Sequence, residues 1–465
     1  MRPSIDDVWL AVALAVPVLV ILGSSMRMVD LAYHLRLGQA IVAGTSIPRI
    51  DTFTFTASGE PWLDQQWLAQ AMLHLVHRGA GFAGLIVLRA SLVAIVVVAT
   101  FASCRARGAG VRSSSLLCLG SFVLALPHLA MRPQLFGAVA FALSAFVLVT
   151  RRAHPGRLWL LPVIAVAWAN LHGSFVLAPA LVGLVVITDV LAHRRLPRHL
   201  VPVLAATVVA TFVTPWGPAV WRYAAALATD ETIRTQVTEW APPSFSTFAG
   251  AMFLLTLVGL TAWLGLRARA LAATDVAWVV AFTVLALASS RNVLWWALAV
   301  PVVLAASVGP LDRASGAAVR GSRPLNAALL VVLGAGLVVA LPWWRPAPSL
   351  VEGTPSAALM AAADASVPSG ANLFVHQPWA SWLEFSRPDL RVFVDSRIEL
   401  FDDATWSAYD DVVAARGPWR AALVDAGADA VMVPRANAAT IEGLGDDPGW
   451  VQIAGDETGA LFVRG

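Results

Sequence analysis

Residues 27–78 read RMVDLAYHLRLGQAIVAGTSIPRIDTFTFTASGEPWLDQQWLAQAMLHLVHR. The stretch lies between two long apolar runs and is dense in groups that do chemistry. Asp30, His34, Arg36, Asp51, Asp64, Gln66 and His74 stand among Phe53, Phe55, Trp62 and Trp67. At about fifty residues it is far longer than a connector between neighbouring helices needs to be, and loops of that length usually carry function. Asp30 precedes an amphipathic run over 31–42, and a second covers 67–76. Both read as helices lying in a membrane interface. Between them, residues 47–55 alternate weakly and then turn at Ser58-Gly59.

The surroundings of this stretch are apolar. Of 465 residues, 58% are hydrophobic and 13% charged, and the mean hydropathy is +0.72. A soluble domain carries about 25% charged residues, so the chain reads as a polytopic α-helical membrane protein. Its net charge of +3 is small, it contains no lysine, and no basic run with interleaved aromatics indicates nucleic-acid binding. Cys104 and Cys118 lack metal-site spacing and imply no disulfide framework. The first apolar run follows Asp6 and Asp7 without a clear cleavage site, so it is expected to be a retained helix rather than a removed signal.

Apolar runs near 8–24, 82–103, 114–130, 134–150, 158–171, 174–192, 200–228, 247–266, 274–289, 293–310 and 325–342 predict about eleven transmembrane helices, since a span needs roughly 20 apolar residues. The 200–228 run is broken by Thr214-Pro215-Trp216-Gly217, which predicts a helix followed by an interfacial piece. Every second loop is arginine-rich: Arg105, Arg107 and Arg112; Arg151, Arg152 and Arg157; Arg194, Arg195 and Arg198; Arg267 and Arg269; Arg313, Arg320 and Arg323. The positive-inside rule makes these loops and the N-terminus cytoplasmic, and the 27–78 loop and the C-terminus extracytoplasmic, in a plasma (inner) membrane. The remaining polar interruptions then share the outer side: Met131 to Gln134, Asn170 to Ser174, Thr214 to Gly217, Asp230-Glu231, Glu239-Trp240 and Ser290 to Asn292. As a set they indicate a binding or active surface there. Taken singly, each also reads as a helix cap, a breaker or part of an interfacial aromatic belt.

The composition changes after Trp343-Trp344-Arg345. Two domains are expected: a membrane domain over 1–345, including the 27–78 loop, and an exported soluble α/β domain over 346–465. Within the latter, 372–375, 391–394 and 430–433 read as short buried strands, and helical stretches near 377–385, 403–427 and 436–444 alternate with them. That alternation predicts a partly parallel sheet. There is no glycine-rich phosphate loop.

The layout resembles the C-type superfamily of membrane glycosyltransferases, which includes protein O-mannosyltransferases and aminoarabinose transferases. The matching residues are Asp30 in Val29-Asp30-Leu31-Ala32-Tyr33, a turn containing Gly44, and Gly59-Glu60-Pro61-Trp62-Leu63-Asp64-Gln65-Gln66-Trp67-Leu68. Members have many spans, a large first outer loop with two interfacial helices, an aspartate just after the first span, and often a soluble domain at the end. The resemblance implies transfer of a sugar from a polyprenyl-phosphate carrier to a glycan, lipid or protein acceptor of the cell envelope. Two departures stand out. Leu31 follows Asp30 where the family often has paired acids, and Gln65-Gln66-Trp67 follows Asp64 where it often has Lys-Pro-Pro. A lysine contact to the donor phosphate is therefore missing, and an arginine would have to supply it.

Inverting transfer needs a carboxylate to take the acceptor's proton and positive charge to hold the departing phosphate. Asp30 is the candidate base; its structural alternative is the N-cap of a helix over 31–42. Asp64 positions the acceptor, holds a divalent cation (magnesium or manganese) through oxygen ligands, or caps a helix over 65–76. Asp51 is weaker, because Arg49-Ile50-Asp51 also reads as a surface turn. Arg89, Arg132 and Arg291 are the candidate phosphate-binding residues, arginine's fork of donors being suited to phosphate; each also reads as snorkelling to the interface. His172, His34 and Gln66 are further candidates for substrate contact, with capping or packing as the alternative for His172. In the tail, His376, Asp395 and Arg397 follow strand ends and are expected to stabilise the fold. A lipid flippase or transporter, and a non-catalytic membrane scaffold with an exported domain, are the competing functions. Asp189 and Asp275 lie at cytoplasmic span ends and no repeat is visible, which argues against proton-coupled transport.

Overall fold

The computed structural model describes residues 3–44, 46–267, 271–314 and 322–465. Arg269 and Arg320 of the arginine-rich loops lie outside the described residues. In chain order the helices up to the tail are α1 (Ile5–Gly23), α2 (Met28–Val42), α3 (Trp67–Ala106), α4 (Val111–Ala125), α5 (Pro133–Thr150), α6 (Leu160–Leu171), α7 (Leu177–His193), α8 (Val201–Ala210), α9 (Ala219–Thr229), α10 (Glu231–Gln236), α11 (Phe248–Arg267), α12 (Ala273–Ala288), α13 (Val293–Ala314) and α14 (Arg323–Val339). The eleven apolar runs fall on α1, α3 to α8 and α11 to α14. Among the described residues, seven helical segments are long and apolar enough to cross a membrane. The others are shorter, among them α6 with 12 residues, α8 with 10 and α12 with 16. The break at Thr214 to Gly217 separates α8 from α9, as that dipeptide-rich turn predicts.

By contacts the chain divides into two units. One comprises Met1–Ser24, Phe82–Ala226 and Val237–Pro346; the other comprises Ser25–Gly81, Leu227–Gln236 and Ala347–Gly465. One unit boundary falls after Pro346, and the 25–81 segment clusters with the tail.

Within the helical unit the polar ties sort by helix end. Ser4 and Asp7 form a reciprocal capping box that starts α1. At that end Arg112 pairs with Asp6 at 2.9 Å, Arg107 with Asp275, and Arg151 with Asp189 at 3.3 Å, while Asn326 donates to the Pro3 carbonyl at 3.2 Å. At the opposite ends Arg345 donates to the carbonyls of Leu22 and Ser24, Arg132 pairs with Glu239, and Asn170 donates to the Val213 carbonyl. Each tie joins helix ends of one parity, as an alternating up-and-down path requires.

The second unit is built on a sheet. A two-residue pair, β1 (Met26–Arg27) with β2 (Val351–Glu352), runs parallel. The five-stranded sheet contains β3 (Asn372–Val375), β4 (Arg391–Val392), β5 (Ala430–Pro434), β6 (Trp450–Gly455) and β7 (Gly459–Arg464) in the order β4-β3-β5-β7-β6. The first three strands are parallel and the β6–β7 hairpin is antiparallel, so the sheet is partly parallel as the alternation predicts. The hairpin was not foreseen. Residues 53–55 of the loop extend this sheet beside β4: Phe55 N–H donates to the Val392 carbonyl at 3.1 Å, and Val392 N–H to the Phe53 carbonyl at 3.0 Å. Helices α15 (Ala357–Ser366), α16 (Gln377–Ser386), α17 (Asp403–Val413), α18 (Trp419–Asp425) and α19 (Ala438–Gly445) cover it. Alternating side chains feed two cores, Phe374 and Phe393 on one face and Leu373, Val375 and Val392 on the other.

Helix α3 passes from one unit to the other. Its backbone is not helical at Gly81, where φ is 60° and ψ −158°, a conformation essentially confined to glycine. The unit boundary falls at this residue. Replacing Gly81 by alanine should lower the thermal unfolding midpoint in detergent, at a cost of about 1–3 kcal/mol. Gly79→Ala, two residues earlier with open space around it, should be neutral or mildly stabilising in the same assay.

Candidate functional site

In the loop-and-tail unit the candidate acids have different surroundings. Helix α2 begins at Met28, so Asp30 is its third residue and lies in its first turn, half-buried. This corrects the N-cap alternative: a carboxylate here is favoured by the helix dipole instead. Asp64 is 1% exposed. Its carboxylate accepts from Gln70 Nε2 at 2.8 Å and from the backbone N–H of Gln66. The same Gln70 nitrogen lies 3.3 Å from His34 Nδ1, so Asp64, Gln70 and His34 form a buried polar chain linking α2 to α3. The helices touch closely where Gly38 faces α3; a Cβ there would sit 2.1 Å from the Gln70 carbonyl oxygen. Burial pushes the Asp64 carboxyl up to about 7, against the lowering effects of Gln70, the Gln66 amide and Arg397.

Asp51 is no surface turn: it is 1% exposed and caps its own turn by accepting from Phe53 N–H, Thr54 N–H and the Thr54 hydroxyl. It also pairs at 2.6 Å with Arg397, which lies 346 residues away in sequence. Arg397 is held in addition by Asp395 and lies over the rings of Phe53 and Trp62, at 5.1 and 5.0 Å from their centroids. Its burial alone would weaken the charge, but the carboxylates of Asp395 and Asp51 outweigh that and hold the guanidinium firmly protonated. Glu384, 2% exposed on α16, faces Asp395 across this cluster. Neither of its carboxyl oxygens receives a hydrogen bond from a donor among the described residues. Burial and the neighbouring Asp395 raise it well above the usual carboxylate range, so Glu384 keeps its proton and can donate it to Asp395. Sequence reasoning missed Glu384 and Gln70; the available signal was a single acid within the apolar stretch 379–385. Ser396 donates to the Val29 carbonyl at 2.8 Å, beside Asp30, and Trp62 donates to Glu399 at 3.4 Å.

In the helical unit, Arg89 is 8% exposed and donates to the Leu129 carbonyl at 2.7 Å and to the Ser24 hydroxyl at 3.0 Å. Arg132 holds both oxygens of Glu239 at 3.0 Å, and Arg291 lies over the Trp240 ring at 5.5 Å. His128 lies within electrostatic reach of Glu239, Arg291 and Arg132. The three candidate arginines thus gather around the 128–132 turn. His172 stands apart from them, bonded to Ser174, whose hydroxyl also accepts from Trp168 at 2.9 Å.

Neither a protein-family model nor a curated protein matches the sequence. Solved structures do match along its length. The archaeal oligosaccharyltransferase AglB from Archaeoglobus fulgidus, in complex with an inhibitory peptide and a dolichol-phosphate, is similar over 98% of this chain and 74% of its own, with TM-score 0.56 and 11% identity. The arabinofuranosyltransferase AftD from Mycobacteria is similar over 98% of this chain and 40% of its own, with TM-score 0.56 and 17% identity. ArnT from Cupriavidus metallidurans, bound to undecaprenyl phosphate, is similar over 98% of this chain and 97% of its own, with TM-score 0.53 and 16% identity. The fold is that of the C-type membrane glycosyltransferases.

On this C-type fold the expected residues fall into two sets: Asp30, His34, Asp64 and Gln66 in the loop-and-tail unit, and Arg89, Arg132, His172 and Arg291 in the helical unit. Among the described residues no group of three or more His, Cys, Asp or Glu could hold a metal ion, and Asp64 and Asp51 are committed to Gln70 and Arg397.

Arg397→Met leaves Asp51 and Asp395 buried without their counter-ion and should destabilise this unit by about 3–5 kcal/mol; hydrogen exchange over 49–62 and 391–400 should accelerate while that of helices α4–α8 and α11–α13 is unchanged. The raised carboxyl of Asp64 binds its proton more tightly in the folded state, so its contribution is full below 3.8 and is lost as pH rises toward 7. Unfolding of the unit should therefore become easier between these values, by up to roughly 4 kcal/mol, and Asp64→Asn should flatten that part of the stability–pH curve.

Proposed function

We propose that the chain is a membrane glycosyltransferase that moves a sugar from a polyprenyl-phosphate carrier to a cell-envelope glycan, lipid or protein acceptor at the outer face of the plasma membrane. One observation carries the reading: the likeness to glycosyltransferases runs over 98% of the chain, and two of those relatives were solved with a polyprenyl phosphate. The chain's own residues support it. Asp30 is a half-buried carboxylate at a helix start, open enough to meet a substrate, whereas Asp64 is enclosed.

In this mechanism Asp30 accepts the proton of the acceptor hydroxyl as its oxygen attacks the anomeric carbon. The bond from that carbon to the carrier phosphate breaks with inversion, and the phosphate leaves with the electron pair. Arg89, Arg132 and Arg291 balance its charge, taking the part a lysine plays elsewhere. Asp64 acts through Gln70 and His34 as a positioning residue that sets α2, and with it Asp30, against α3. Gln66 serves it through its backbone N–H. His172 packs the turn before α7.

The competing readings are a flippase and a scaffold, and Asp30→Asn separates them. With lipid-linked sugars extracted from the host membrane as donor pool, the variant should lose at least about a hundredfold in transfer, the range of general-base catalysis. Its thermal stability and binding of undecaprenyl phosphate should stay at wild-type levels. Transfer that survives the substitution, or wild-type protein that transports lipid without transferring sugar, would remove the transferase reading.

A further inference from the structure

We infer that Glu384 is a positioning residue for Asp30 that works only while it carries its proton, so that sugar transfer fails as the medium turns alkaline; the inference rests on the transferase reading. Helix α16 presents a polar stripe to the 395–397 segment. Gln377, Ser381 and Glu384 stand at i, i+4 and i+7, so they share one face of the helix. Gln377 Nε2 donates to the Asp395 carbonyl at 3.3 Å and to the Ser396 hydroxyl at 3.2 Å. The Ser381 hydroxyl lies 3.2 Å from that of Ser396. Ser396 passes the grip on, donating to the Val29 carbonyl at 2.8 Å, one residue before Asp30. Glu384 closes the stripe against the Asp395 carboxylate.

Two carboxyls in contact need a proton between them. Both oxygens of Asp395 already serve Arg397: Oδ1 accepts its backbone N–H at 2.7 Å and Oδ2 its Nε at 2.8 Å. Asp395 is therefore the ionised member, and Glu384 carries the proton. No donor among the described residues reaches either oxygen of Glu384, so its ionised form is a buried charge facing another of the same sign. Helix α16 is anchored at both ends. Gln377 N–H donates to the Tyr409 hydroxyl at 2.8 Å, and Arg387 donates to the carbonyls of Ala363 and Val367 at 3.0 and 3.2 Å. The 395–397 segment gives instead, and Ser396 moves with it. The other charged groups that act on Glu384 are Arg397 and Asp51. Of the elements packed on α16, α2 carries Asp30, His34 and Arg36, β4 carries Arg391, and α3 carries His77, whose ring meets Phe385 edge-on at 5.4 Å. Burial and Asp395 raise the Glu384 carboxyl well above its ordinary 4.5. Its stabilising share is thus full below 4.5 and is lost as pH rises through the raised value. With no lysine in the chain, few other groups change charge in that alkaline range.

The test follows the full chain in nanodiscs from about pH 6 to 10, with lipid-linked sugars from the host membrane as donor pool and thermal unfolding as the folding control. Glu384→Gln, whose amide still donates to Asp395 without titrating, should match wild type at the acid end. At the alkaline end it should exceed wild type in kcat by about tenfold for each pH unit past the loss of the proton, with KM for the donor unchanged. Asp64 is common to both proteins, so their ratio isolates Glu384. Protection of amides 27–33 against hydrogen exchange, corrected for the intrinsic rate, should fall in wild type over the same range and hold in Glu384→Gln. Ser396→Ala, which cuts the bond to Val29, should leave that protection low at every pH. A transfer ratio that stays flat from end to end overturns the inference and leaves the transferase reading standing. If wild type transfers no sugar at any pH, the transferase reading falls and takes the link to transfer with it. Should Glu384→Gln not fold, wild type decides: protection at 27–33 must fall ahead of that at 430–434 in β5, and a parallel loss in both overturns the inference.

Discussion

A guanidinium buried among carboxyls organises the loop-and-tail unit. Arg397 has its side chain 1% exposed, and a charge taken that far from water survives only with partners in good geometry. Asp395 comes from the same strand end and Asp51 from the loop, so the pairing cannot form unless the two segments fold against each other. The aromatic rings of Phe53 and Trp62 flank the cation, and both belong to the loop. Glu384 faces Asp395 across the same cluster, and burial together with that neighbouring carboxylate raises it well above the usual carboxylate range. The 53–55 strand beside β4 is the backbone expression of the same constraint. The loop is therefore part of the tail's fold, not an appendage of the helices that bracket it in sequence.

The parts of this architecture that were legible in the sequence are those with short-range causes. Apolar runs mark helices because lipid leaves the backbone no other partner, and all eleven runs are helical, although α6, α8 and α12 are shorter than a full span. Strands β3, β4 and β5 announced themselves as buried β-branched and aromatic runs between turn signals. The hairpin β6–β7 did not, since four of the six residues of β6 are exposed and the polar Gln452 and the small Ala454 interrupt its pattern. Asp51 looked like a surface turn because its local sequence, Arg49-Ile50-Asp51, is that of a turn; what buries it is a residue 346 positions away. Val394-Asp395-Ser396-Arg397 stood out as distinctive without revealing its partner for the same reason. Glu384 was hidden because one acid on a short helix reads as its solvent side. Long-range pairing leaves little local trace.

The two units manage charge in opposite ways. In the helical unit the ion pairs lie at helix ends, partly exposed, and each joins ends of one parity. They define which ends face together and contribute little energy individually. In the loop-and-tail unit the pairs of Arg397 with Asp51 and Asp395 are enclosed, and removing one partner strands the other, while pairs such as Arg27–Glu352 and Arg416–Asp411 stay exposed. The absence of lysine suits both tasks. Arg89 and Arg345 reach backbone carbonyls that helix ends leave unpaired, and Arg397 engages two carboxylates and two rings at once, which a single ammonium could not do.

This bears on how Asp30 is held. It has no rigid neighbour in sequence beyond the first turn of α2, so its position derives from what α2 packs against. One side is α3, approached so closely at Gly38 that a single added carbon would collide with the Gln70 carbonyl, and locked by the Asp64–Gln70–His34 chain. The other is the tail: Ser396 holds the carbonyl of Val29, and Leu400 packs with Tyr33, Leu37 and Trp62. Ser396 is in turn fixed between Gln377 and Ser381 of α16, one residue from the buried Arg397. The placement of the loop's foremost acid is thus set from both ends of the chain. A substitution in the 395–400 segment reaches Asp30 through two hydrogen bonds and a packed ring cluster, without needing to touch any substrate.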